Sequence, residues 1–143
     1  MSSSTREAAD RIHSASIHLL RRVREVDDDA MGISPARASA LSVLVFGGPR
    51  SLTALAESER VTPATMSKLV RALEAEGLVR REQDAADGRA VRLHPTPRAR
   101  RILARGRQRR LDLLESLLRD ASPAEVAAVR TAAEVVERSL ASA

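Results

Sequence analysis

The sequence contains no cysteine, no tryptophan and no tyrosine, and its one phenylalanine is Phe46. Without cysteine there is no disulfide scaffold, no thiol redox switch and no cysteine-ligated zinc. With a single aromatic ring there is no set of platforms for stacking unpaired bases, which excludes the common single-strand and RNA-binding modules. Long apolar runs are missing too, since none approaches the ~18 residues of a membrane span. The polar start, residues 1–6, does not read as a signal peptide. The expectation is a soluble cytoplasmic protein with no membrane partner. Lysine is nearly absent: one lysine stands against 23 arginines in 143 residues. That length suits one domain of about 100–150 residues. A hydrophobic content of 43% supports a packed core, although 25 alanines make it thin per residue.

The net charge of +5 is unevenly spread. Residues 1–59 carry seven basic and eight acidic side chains, net −1. Residues 60–110 carry fourteen basic and five acidic, net +9, and residues 111–143 carry three and six, net −3. A confined block of one sign is the electrostatic footprint of a polyanion partner. A solvated helix face is the plainer reading of charge alone.

Four dipeptides punctuate the chain: Ser34-Pro35, Thr62-Pro63, Thr96-Pro97 and Ser122-Pro123. Each sets a hydroxyl that accepts from an orphan backbone N–H before a proline that has none to satisfy, which marks a helix start. Ser122 and Glu125 also have capping-box spacing. The spacing predicts helices over 7–26, 35–46, 52 to about 60, 63–76, 97–119 and 123–141. Residues 27–33 read as a polar connector, and residues 1–5 and 141–143 as frayed ends. Residues 78–83 and 89–94 alternate in part around Asp87-Gly88, which predicts a two-stranded hairpin.

Short helix, tight turn, helix and hairpin make a winged helix-turn-helix. Leu52, Leu55 and Ala56 supply the inner side of the first helix, Val61 plugs the turn, and Met66, Leu69, Val70 and Leu73 bury one side of the second. The other side presents Thr62, Pro63, Thr65, Ser67, Lys68 and Arg71. Short hydroxyls and long cations there suit base edges and phosphates in a major groove of double-stranded DNA. A generic helical hairpin with a polar face is the structural alternative. In the hairpin, Asp87, Gly88 and Arg89 form the tip. An arginine there can enter a narrow, electronegative minor groove, and Asp87 is expected to hold its guanidinium in a bidentate pair.

These residues resemble the MarR family of bacterial transcription regulators. The likeness rests on the helix-turn-helix of residues 52–74, the run Leu73-Glu74-Ala75-Glu76-Gly77-Leu78-Val79, Arg81, the pattern Asp84-x-x-Asp87-x-Arg89, and Thr96. Pro95 and Ala99 depart from the family's leucine and glycine at the exit from the wing. The resemblance implies a mainly α fold with three parts. Residues 1–33 give an N-terminal dimerisation helix and connector, residues 34–95 the winged helix-turn-helix core, and residues 96–143 the C-terminal dimerisation helices. It implies an obligate homodimer and a pocket for a small aromatic or phenolic acid, for which His18, Arg22 and Phe46 are candidates. Apolar stripes at both chain ends, with Ile12, Leu19 and Val23 in one and Val129, Val136 and Leu140 in the other, support the dimer independently. Two-fold symmetry predicts a pseudo-palindromic operator with half-sites ~10 base pairs apart.

Seven arginines follow on the next helix, among them Arg98, the candidate for a phosphate contact because it lies nearest the wing. The others cover too many directions for one DNA-facing stripe, and some are expected to pair with Glu115 or Asp112. His13 and His18 are five apart, roughly 140° around a helix, and share no metal face. Asp27, Asp28 and Asp29 lack the spacing of a calcium loop. No catalytic grouping, cofactor fingerprint or metal site is expected. The sequence therefore reads as a non-enzymatic, ligand-responsive repressor. The alternatives are a nonspecific architectural DNA-binding protein and a module that binds an acidic protein partner.

Overall fold

The computed structural model describes residues 3–143. Met1 and Ser2, expected to be frayed, lie outside the described residues, as does the side chain of Asp29. The elements are α1 (Ser3–Met31), α2 (Pro35–Gly47), α3 (Leu52–Glu59), α4 (Pro63–Ala75), β1 (Val79–Gln83), β2 (Val91–Pro95), α5 (Pro97–Leu117) and α6 (Pro123–Ala141). The chain divides into two compact units, residues 1–110 and 111–143.

Four helix starts follow from the hydroxyl-proline pairs, and Ser51 adds a fifth cap. Ser34 Oγ accepts from Arg37 N–H at 3.3 Å, Ser51 Oγ from Ala54 N–H at 3.1 Å, and Thr62 Oγ1 from Thr65 N–H at 3.2 Å. Ser122 Oγ accepts from Glu125 N–H while Glu125 Oε2 accepts from Ser122 N–H at 2.8 Å, which closes the capping box. Thr96 Oγ1 accepts from Ala99 N–H at 3.3 Å and donates to Gly77 O at 2.7 Å. The last bond ties the start of α5 to the end of α4.

α1 departs from expectation at both ends. It is already helical at Ser3, and it continues through Asp27 and Asp28 to Met31, stopping at Gly32 with φ +65°. The stretch read as a polar connector is helical because distant residues hold it. Asp27 Oδ1 accepts from Arg110 Nη1 at 2.6 Å, and Ala30 is buried. Met31 lies so close to α5 that a Cβ on Gly106 would come within 2.8 Å of its Sδ. Arg110 thus pairs with α1, not with the nearby acids of its own helix.

The core of the first unit packs α2 against α3, α4 and the hairpin. Leu41, Leu44, Leu55, Met66, Val70, Leu73, Leu78 and Leu93 are its largest fully buried side chains. Removing any one of these leucines to alanine costs about 2–5 kcal/mol in such a setting. β1 and β2 pair antiparallel, with Val79 opposite Pro95 and Gln83 opposite Val91. Pro95 sits at the last paired position, where a missing N–H does least harm. Arg50 bridges to Leu93, whose N–H donates to Arg50 O at 2.8 Å, so a one-residue third strand completes the wing. That bridge is not signalled in the sequence.

Two helices expose apolar side chains among the described residues. α6 has no buried residue along its 19 positions, and Val129, Val135, Val136 and Leu140 are exposed. On α1, Ile12, Ile17, Leu19 and Leu20 are exposed. No helix among the described residues is long and apolar enough to cross a membrane.

Candidate nucleic-acid interface

The turn between α3 and α4 sets the angle of the second helix. Arg60 caps α3 in the left-handed region at φ +55°, and its N–H donates to Glu57 O at 3.1 Å. Val61 N–H donates to Ala56 O at 3.0 Å, and its side chain packs on the core. Ala56, 1% exposed, leaves room for that close return. A non-glycine residue held in the left-handed region is strained by about 1–2 kcal/mol, and such strain concentrates at functional segments. Arg60 is also exposed, so its guanidinium can reach outward.

α4 buries Met66, Val70 and Leu73 and turns the opposite side to solvent. Thr62, Pro63, Thr65, Lys68 and Arg71 are exposed there, with Ser67 half-buried at one edge. The residues expected to meet DNA thus lie on one outward surface. Thr62 Oγ1 donates to Thr65 Oγ1 at 3.0 Å. Arg71 folds back along the helix, its Nε 3.4 Å from Ser67 O and its Nη2 3.5 Å from Ser67 Oγ. Bonds this long are weak, so Arg71 is readily recruited elsewhere. Ala64 is exposed on the same surface. It is missed in the sequence because it carries no polar group, yet an alanine methyl is a good contact for a thymine methyl. Arg60 is missed because a turn residue has no helical phase.

The wing is ordered from inside its own loop. Asp84 Oδ1 accepts from Ala86 N–H at 2.9 Å and Asp84 Oδ2 from Arg92 Nε at 2.7 Å. The Ala86 N–H, and after it the Arg92 guanidinium, hold the Asp84 carboxyl below the usual carboxylate range. Asp84 N–H donates to Ala90 O at 2.8 Å, and Ala90 N–H to Asp87 O at 3.0 Å. Asp87 acts differently from expectation. Its Oδ1 accepts from the backbone N–H of Arg89 at 3.1 Å. Among the described residues no ion pair joins it to the Arg89 guanidinium, because a carboxylate two residues away reaches the main chain first. Gly88 and Arg89 are exposed at the tip.

One further bond fixes the wing to α4, and another fixes α4 to α2. Arg81 Nε donates to Glu74 Oε1 at 2.8 Å, and Arg37 Nη1 donates to Glu76 Oε1 at 2.6 Å. On the outer side of the hairpin, Glu82 pairs with Arg80 and lies 3.3 Å from His94 Nε2.

The candidate effector residues are not brought together. His18 is exposed on α1, Arg22 pairs with Glu25 at 3.6 Å, and Phe46 is 79% exposed at the end of α2. A cavity of about 230 Å³ lies elsewhere in the first unit, bordered by Arg24, Asp27, Met31, Ser42, Leu103 and Arg110 among others. None of the three candidates borders it. It forms only because α1 continues past residue 26 and meets α5, against the expectation of a connector there. Among the described residues no cluster of three or more metal-ligating side chains occurs.

Comparison with known proteins agrees with this geometry. Residues 31–90, from the end of α1 to the tip loop of the wing, match the MarR family. Over that segment the chain is similar to MarR-family regulators. Over 78 residues it is 35% identical to YxaD, an uncharacterised HTH-type transcriptional regulator of Bacillus subtilis. That match spans 54% of this chain and 54% of the relative, about half of each. Solved MarR-type structures extend the likeness over nearly the whole chain. A MarR family protein from Bacillus stearothermophilus superposes with TM-score 0.80 at 22% identity, covering 99% of both chains. A transcriptional regulator from Thermotoga maritima gives TM-score 0.79 at 26% identity, covering 94% of this chain and 98% of its own. A mutant of Staphylococcus aureus MepR, solved bound to an oligodeoxyribonucleotide, gives 0.73 at 18% identity over 93% and 97%. The mainly helical winged-helix fold is therefore that of MarR proteins.

Proposed function

We propose that the protein is a homodimeric transcription regulator that binds a pseudo-palindromic site in double-stranded DNA, and that it acts as a ligand-responsive repressor. The observation that carries this reading is the outward surface of α4. Thr65, Lys68 and Arg71 stand on it, and Arg81–Glu74 ties it to the wing that carries Arg89. Hydroxyls and cations there address base edges, Arg89 addresses the minor groove, and Arg60 and Arg98 address phosphates. The complex of MepR with an oligodeoxyribonucleotide supports the same use of the fold.

The uncovered apolar faces of α1 and α6 support the homodimer, since isolated helices with such faces need a partner surface. The cavity beside α1 supports the effector. At about 230 Å³ it is smaller than the ~300 Å³ of drug-sized sites and suits a small aromatic or phenolic acid. Arg24 and Arg110 offer guanidiniums to its carboxylate. A ligand that draws Arg110 from Asp27 would loosen α1 from α5, and it shifts the DNA-binding equilibrium only by its differential affinity for the two states.

Footprinting of the purified protein on genomic fragments tests the reading. A regulator prefers its site over random duplex by ~10³-fold or more. Equal affinity for all fragments favours an architectural DNA-binding protein instead, and absence of binding at low salt favours an acidic protein partner.

A further inference from the structure

The first fourteen residues of α5, 97–110, hold seven arginines and no acidic residue. The structure sorts them. Ala99, Leu103 and Gly106 are buried, and Arg110 turns inward to Asp27. At ~100° per residue, Arg98, Arg101, Arg105 and Arg109 fall within one arc of about 80° on the solvent side. All four are exposed, and among the described residues none of their guanidiniums is in an ion pair. The stripe rises ~16 Å along the helix at 1.5 Å per residue. Arg100 and Arg107 lie on another edge, roughly 140–160° away from the stripe's centre. Four of the seven arginines therefore form a single stripe once the buried side is known.

This arrangement works against the helix that carries it. The first turn of α5 has no acidic residue, so Arg98 faces the positive end of the helix dipole uncompensated. Arg101 and Arg105, and Arg105 and Arg109, are like-charged neighbours at i,i+4, which destabilises a helix. Local rules broken together without internal compensation point to a function outside the chain. The stripe also starts where Thr96 anchors α5 to the end of α4 and to the wing.

We propose that Arg98, Arg101, Arg105 and Arg109 form a second, sequence-independent surface that follows the phosphate backbone of duplex DNA beyond the wing. The inference rests on the DNA-binding reading above and adds to it a binding surface outside the helix-turn-helix and the wing tip. Charge complementarity selects the partner: spaced guanidiniums without acids suit a linear polyanion, and duplex DNA is the one this fold already addresses.

The test measures how binding of the full chain to a random-sequence duplex of about 30 base pairs depends on salt, by fluorescence anisotropy. Two matched double variants each remove two charges: Arg101→Gln with Arg105→Gln on the stripe, and Arg100→Gln with Arg107→Gln off it. Circular dichroism and thermal melting establish that both remain folded. Every phosphate that is no longer neutralised lowers the slope of log K against log salt by ~0.9, so the stripe variant should fall by about 1.8 per protomer and the other much less. Arg101→Lys with Arg105→Lys should retain the wild-type slope and serves as the conservative rescue. Equal reductions in the two glutamine variants would mean a general charge effect and overturn the stripe. So would an unchanged slope in the stripe variant beside a wild type that binds. A wild type that binds no duplex at low salt overturns the DNA-binding reading, and the stripe with it.

Discussion

Arg81 Nε lies 2.8 Å from Glu74 Oε1, so the first strand of the wing is fastened to the last turn of α4. The two elements expected to touch DNA are thereby held at a fixed spacing. Both side chains keep more than a quarter of their surface in solvent, at 40% and 28%, so the pair adds only about 0–1 kcal/mol to folding. Its larger effect is expected in binding. Arg81→Ala and Glu74→Gln should each weaken DNA binding, with a double-mutant coupling of about 0.5–1.5 kcal/mol. Additive effects in that cycle would mean the two residues act separately.

Arg89→Ala should weaken operator binding by roughly 1–3 kcal/mol while leaving the melting temperature unchanged, because its guanidinium makes no ion pair among the described residues. Asp87→Ala should act through the loop instead. It removes the acceptor for Arg89 N–H, so amide exchange at residue 89 should rise along with the loss of affinity. Unchanged exchange in Asp87→Ala would show that the bond does not order the tip.

The Asp84 contacts that order the wing loop should be insensitive to pH through the neutral range. Asp84 is held below its ordinary value of 3.8, first by Ala86 N–H and then by Arg92. A depressed folded pKa means that its contribution is complete above the unfolded value and is lost as pH falls through the folded one. The Ala86 amide signal should therefore stay flat from neutral pH down to mildly acidic conditions and titrate only below 3.8. A midpoint above that value contradicts the assignment. In Asp84→Asn the acid transition disappears.

Arg60→Gly should raise stability by about 0.5–1 kcal/mol in urea denaturation, as relief of left-handed strain exceeds the added chain entropy. The same change should lower DNA affinity and reduce the salt slope by ~0.9 if Arg60 reaches a phosphate. A gain in stability with unaltered slope leaves Arg60 a turn residue only.

How much of the fold is legible in the sequence follows the range of the forces involved. The caps at Ser34, Thr62 and Ser122 can be read directly, because a hydroxyl reaches an N–H three residues on in the same chain. The outward residues of α4 are legible for the same reason, since helical periodicity separates Met66, Val70 and Leu73 from Thr65, Lys68 and Arg71. The wing is legible as a hairpin, but the partner of Asp87 is not. Its carboxylate has a main-chain donor and a guanidinium both within reach, and sequence does not rank them.

The chain's lack of aromatics and cysteine, its confined positive block and its start signals determined by themselves a cysteine-free, arginine-driven winged helix. Those properties are sums and short spacings, which sequence records fully. Only tertiary structure decided that α1 runs on to Met31, because Arg110, 83 residues away, supplies the charge that Asp27 needs. Only tertiary structure placed the cavity between those elements and away from His18, Arg22 and Phe46. It also gathered four of seven scattered arginines into one stripe, because the phase of α5 is set by what Ala99, Leu103 and Gly106 pack against, and that is written in other parts of the chain.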